Sequence, residues 1–144
     1  MSARPNQVVI RAWLHAGLDA GTGFESGLRL AVTVGGGTPA SMAWSADTLD
    51  LVAGAPDTAT VVLYDAFGNR APAAADETLT LWTDRPLGAF TVLGGGAPIF
   101  ELTVPAGADS ASARFTDTGA GVGRIRAIDA NGTGPLLGVT EAQV

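Results

Sequence analysis

One alternating apolar run that breaks off into a specified turn constrains this chain more than any other stretch: Val61-Val62-Leu63-Tyr64-Asp65-Ala66-Phe67-Gly68-Asn69. Side chains alternate along a strand, so Val61 and Leu63 take one face and Val62 and Tyr64 the other. Phe67, past the turn, is expected to rejoin the core face. Asp65 offers a short carboxylate to nearby backbone N–H groups, Gly68 supplies a positive φ without steric cost, and Asn69 tolerates the same region. Asp65, Gly68 and Asn69 are therefore read as structural turn residues. A period of two that ends in D-x-x-G-N describes a strand and its turn, not an amphipathic helix.

Similar short runs recur downstream, each bounded by Gly, Pro, Asp or Asn. Met42 and Trp44 alternate, then Leu49 and Leu51, which predicts an opening strand kinked near Ser45 to Thr48. Thr58 to Tyr64, Glu77 to Thr83, Ile99 to Val104, Ser112 to Thr116, Val122 to Asp129 and Leu136 to Val144 read as strands, and Phe90 and Val92 as a short one. The inward residues expected are Leu79 and Leu81, Phe100, Leu102 and Val104, Phe115, and Ile125 and Ala127. Thr80, Trp82, Arg124 and Arg126 are expected to face outward. About seven short strands separated by turn signals predict an all-β chain, an Ig-like antiparallel β-sandwich over residues 37–144.

Residues 1–36 do not belong to that count. Residues 6–16, where Val8, Ile10, Ala12 and Leu14 alternate with their neighbours, and Leu28 to Val34 read as two strands around a Gly-rich loop, and a lone hairpin is marginal in water. Gly35-Gly36-Gly37-Thr38-Pro39 then reads as a flexible joint. Ile10-Arg11-Ala12 and Ile125-Arg126-Ala127 each open a strand followed by a Gly-rich loop and a closing strand. The echo points to a two-stranded hairpin left from an adjacent repeat, and so to a slice of a tandem array.

Composition excludes several classes. The chain has no cysteine, so disulfides, Cys-ligated metals and thiol nucleophiles are out. Its eight bases are all arginine, scattered singly among 14 acids, which gives no electrostatic footprint for nucleic acid or anionic lipid. No run approaches the ~20 apolar residues that span a bilayer, so no membrane insertion is expected. Met1 to Asn6 lack an apolar signal core. The expectation is a piece of a longer exported protein, placed at the cell surface or outside the cell.

Candidate sites are few. His15 is the only histidine and has no G-x-S-x-G elbow to serve, so it is read as a packing or solvent-facing residue. Asp129-Ala130-Asn131-Gly132 resembles half a calcium loop, but position twelve is Thr140, so it is read as a turn. A calcium site built from Asp65, Asp117 and Asp129 would require all three at one end of the sandwich. Asp76, Glu77 and Asp84 lie at strand ends and read as solvated caps rather than as a glycosidase pair. Gly94-Gly95-Gly96 has no lysine beside it to make a phosphate loop. Trp82, facing away from Leu79 and Leu81, and Trp13 are the candidate ligand or interface residues. No catalytic residue and no cofactor is expected.

In order along the chain, Val52-Ala53-Gly54, Asp65 to Asn69, Pro105-Ala106-Gly107 through Ala113-Arg114-Phe115-Thr116-Asp117-Thr118-Gly119-Ala120-Gly121, and Ile125-Arg126-Ala127 form a motif set. This set resembles the bacterial Ig-like repeats of invasin-type adhesins and covers about residues 39–144; the extra N-terminal piece departs from a single repeat. The resemblance implies a non-catalytic extracellular module, a spacer, stalk or adhesive unit, whose partners are neighbouring repeats of the same polypeptide and a glycan or host surface protein. Two other expectations stand beside it. One is a self-assembling fibre or phage virion subunit joined through the N-terminal hairpin by β-augmentation. The other is a carbohydrate-binding module that uses an exposed Trp82.

Overall fold

The computed structural model describes residues 35–129 and 137–144. The hairpin expected before residue 35, with Trp13 and His15, and the loop expected at 131–135 lie outside the described residues. Within them the chain forms nine strand segments and no helix: β1 Ser41–Trp44, β2 Asp57–Tyr64, β3 Glu77–Thr83, β4 Gly88–Thr91, β5 Pro98–Ile99, β6 Glu101–Val104, β7 Ser110–Asp117, β8 Arg124–Asp129 and β9 Val139–Gln143. They make two sheets, ordered β1-β2-β7-β4-β5 and β6-β3-β8-β9, with every neighbouring pair of strands antiparallel. β1, β2, β7 and β4 stand as strands A, B, E and D of an Ig sandwich, and β3, β8 and β9 as C, F and G. The fold is an Ig-like β-sandwich.

The core lies between the sheets and follows from the alternation. Val61, Leu63, Phe90, Ala113 and Phe115 point inward from the first sheet, and Leu79, Leu81, Leu102, Val104, Ile125 and Ala127 from the second. Trp44 and Phe90 stack with ring centroids 6.3 Å apart, and Phe90 tilts against Phe115 at 4.9 Å. Burying a side chain such as Phe115 or Leu63 contributes about 1.5–3 kcal/mol.

Both flanks are closed by a segment that changes sheets. β1 pairs with β2 in the first sheet; the chain then kinks, and Thr48 forms a parallel bridge to Gln143 at the edge of the second. There the Leu49 amide donates to the Gln143 carbonyl (2.8 Å) and the Gln143 amide to the Asp47 carbonyl (2.9 Å). The kink expected near Ser45 to Thr48 is this crossing. On the opposite flank β5 belongs to the first sheet and β6 to the second, with Phe100 at the crossing.

Three expectations need correction. Phe100 is not aligned with Leu102 and Val104; it is 74% exposed, because alternation is reset where the chain leaves one sheet for the other. Val92 is exposed, since β4 ends at Thr91. Phe67 is 55% exposed: the turn folds Asp65 inward, and buried Ala71 and Ala73 return along the core side instead, with the Ala71 amide bonded to the Leu63 carbonyl. Val62, although on the face opposite Val61 and Leu63, is also buried. Trp82 does lie outward and is 41% exposed, while Leu79 and Leu81 are buried.

Candidate functional site

The strand register defines two ends. β2 finishes at Tyr64, opposite Ser41 of β1, so the chain enters the sandwich beside Asp65. β9 finishes at Gln143, opposite Arg124 of β8, and Asp57 at the start of β2 lies opposite Phe115 near the end of β7. The chain therefore comes in at one pole, called here the N-pole, and its last strand runs out at the other, the C-pole.

At the N-pole the Asp65 carboxylate is a hub for amides. Oδ1 accepts from the Phe67 amide (2.9 Å) and the Asn69 amide (2.9 Å), and the Asn69 side-chain amide reaches both oxygens (3.3 and 3.1 Å). Oδ2 accepts from the Gly37 amide at 3.0 Å, a residue 28 positions away. The Gly37 amide is the main cause that holds the Asp65 carboxyl down to about 2, against the opposing pull of burial and with the help of Asn69 and Phe67. Gly68 carries φ +84°, as the turn requires.

The joint expected at Gly35 to Gly37 is thus engaged with the sandwich. A Cβ on Gly36 would lie 1.8 Å from the Arg70 carbonyl oxygen and 2.9 Å from the Ala71 Cα. The glycine is there because two backbones meet, which is a different reason from freedom of rotation.

At the C-pole Asp117 holds Arg85. Its carboxylate accepts from the Arg85 Nε and, through Oδ1, from the Gly119 amide at 2.8 Å, and the pair is largely shielded from solvent. Arg85 Nη2 also donates to the Gly119 carbonyl at 2.7 Å. The Arg85 hydrogen bond, then the Gly119 amide, keep the Asp117 carboxyl below its ordinary range. The loop after Asp117 wraps this side chain closely: a Cβ on Gly123 would lie 2.1 Å from the Arg85 Cδ.

Asp129 serves a similar purpose, accepting the Leu137 amide at 2.8 Å. It pairs with Leu79 near the start of β3 and lies toward the N-pole. Asp65 and Asp117 are at opposite poles, so the three aspartates do not converge. Among the described residues no group of three His, Cys, Asp or Glu side chains could hold a metal ion. Asp76 accepts the Ala106 amide (2.9 Å) and Asp84 the Arg124 amide (2.7 Å), at opposite ends of β3. These acids secure loops and strand ends.

Trp82 belongs to a row across the outer face of the second sheet, Trp82–Arg126–Glu141. The Arg126 guanidinium sits 4.8 Å from the centroid of the Trp82 ring, and its Nε donates to Glu141 at 2.6 Å. Beside the ring a groove of about 320 Å³ opens between β3 and the β4–β5 segment, lined by Trp82, Gly88, Phe90, Pro98, Ile99 and Phe100. Its walls are mainly apolar. It can take the flat or aliphatic face of a ligand but presents few groups to orient one. Arg126 already covers part of the ring.

Sequence reasoning missed Phe100, Arg85 and the Gly36 contact. Adjacent Ile99 and Phe100 after Pro98 are a break in the alternation, which was the available signal for a crossing. Glycines at 119, 121 and 123 are a signal for a side chain laid across the loop. No protein-family model matches the chain, and no curated protein matches it.

Proposed function

We propose that this protein is a non-catalytic structural module of a bacterial cell-surface or secreted repeat protein, acting as a spacer or stalk and offering its faces for adhesion. The observation that carries the reading is the placement of Ser41 and Gln143 at opposite poles, so that consecutive copies extend in line instead of folding back. The ordered motif set of the bacterial Ig-like repeats supports it from the sequence. Two copies of the chain joined in tandem test it by small-angle scattering. A maximum dimension longer by roughly 40 Å is expected, since an eight-residue strand spans about 26 Å before loops are added. No increase means the copies fold back, and the stalk reading fails. Light scattering on the single chain should show a monomer; assembly would favour the fibre or virion subunit instead.

The exposed Trp82 and Phe100 beside one apolar groove favour a second reading, a glycan contact at that flank. Tryptophan fluorescence in a polysaccharide titration, compared with that of Trp82→Phe, tests it. An unchanged signal across a broad glycan panel removes it.

A further inference from the structure

Two kinds of joint can precede a stalk module. A free Gly-rich linker lets neighbours swivel, and the end-to-end distance grows only as the square root of its length. A docked segment transmits direction. The run Gly35-Gly36-Gly37 has the composition of the first kind and the contacts of the second.

We propose that residues 36–37 are a docked strap that fixes the direction in which the chain enters the sandwich. Three observations carry this. The Gly37 amide donates to Asp65 Oδ2 at 3.0 Å, and Asp65 is itself held by Phe67 and Asn69 within the turn. Gly36 packs against the Arg70 carbonyl and the Ala71 Cα so closely that a side chain cannot be inserted; those are backbone atoms, which cannot rotate away. Arg70 and Ala71 are in turn held by their backbones, since the Ala71 amide bonds to the Leu63 carbonyl and Arg70 forms an antiparallel bridge with Tyr64. Immediately after the strap the Ala40 amide donates to the Tyr64 carbonyl at 2.7 Å and β1 begins. The strap is anchored on both sides of its path. Gly35 has open space where its Cβ would stand.

The D-x-x-G-N turn thereby has a second use. Besides reversing the chain after β2, it presents a carboxylate to a segment 28 residues earlier. The use of the strap as the stiff joint of a rod rests on the stalk reading, but the strap itself is a property of residues 36–71 and is tested without it.

The test is backbone 15N relaxation on the full 144-residue chain. The Gly37 amide is expected to have an order parameter near 0.85, as in rigid backbone, where a swivel gives less than about 0.6. Gly36→Ala should lower it toward the flexible value, because the strap must lift off Arg70. Asp65→Asn should lower it as well, since an amide NH2 turned toward the Gly37 N–H opposes donor with donor. Gly35→Ala should leave it unchanged. The amides of Val61 and Leu63 report in each variant that the sandwich is intact. A low value in the native chain overturns the proposal, as does a Gly36→Ala chain whose Gly37 stays rigid. If a variant loses its fold, the native value decides alone. A rigid strap with a tandem that folds back would sink the stalk reading and leave the strap standing.

Discussion

Protonating Asp65 removes its charge and turns one of its two accepting oxygens into a hydroxyl, weakening the bonds it takes from Gly37, Phe67 and Asn69. Its carboxyl is held at about 2, below the ordinary 3.8, so the group favours the folded state when ionised. That contribution is complete above the unfolded value near pH 4 and is lost as pH falls through about 2. Asp117 acts in the same direction through Arg85 and Gly119, so the two must be separated by substitution. Thermal melts of the native chain and of Asp65→Asn at pH 5 and pH 2 should show the native chain losing more of its melting temperature over that interval. Equal losses would mean Asp65 titrates alike in both states. The amides that Asp65 takes within its own turn were legible from D-x-x-G-N, because they lie two and four residues away. The Gly37 amide was not: a contact across 28 residues leaves no local pattern. Arg85 was hidden for the same reason, one isolated arginine whose carboxylate is 32 residues away.

At the scale of the strand, burial and sheet membership come apart. Phe115 is wholly buried and Phe100 mostly exposed, though both are aromatic residues in or beside strands. Phe115→Ala should cost about 3–5 kcal/mol in urea unfolding, as the loss of a buried ring leaves a cavity. Phe100→Ser should stay within about 0.5 kcal/mol, as expected of a surface change, while altering Trp82 emission because the two line one groove. A large loss from Phe100→Ser would show that the crossing needs its ring. Most strands were readable from the sequence because the signal is local: Glu77–Thr83 was expected with those bounds, and Ile125 and Ala127 face inward as alternation demands. Alternation reports which face a residue takes and says nothing of which sheet its strand joins. That is why residues 99–104 looked like one strand and are two, divided between the sheets at Phe100.

The described residues form a two-layer body with a direction. The sheet changes at both flanks, which close the sandwich, were not read from the sequence. The small parallel bridge between Thr48 and Gln143 has a mechanical consequence. When the chain is pulled from its two ends, β1 is drawn toward the N-pole and β9 toward the C-pole, along the strand axes. The Leu49–Gln143 and Gln143–Asp47 bonds lie across that pull and are loaded together in shear, where a peeled edge would break them one at a time. Gln143→Pro deletes one of them at an edge strand that tolerates proline. A single hydrogen bond is worth about 1 kcal/mol, so the melting temperature should fall by roughly 3–5 °C. Single-molecule pulling from the termini should show a clear drop in rupture force, and pulling across the sheets should show little. Equal drops in both directions would leave the bridge without this part. With a drop confined to pulling from the termini, a patch of two hydrogen bonds sets how much load the body bears before it yields.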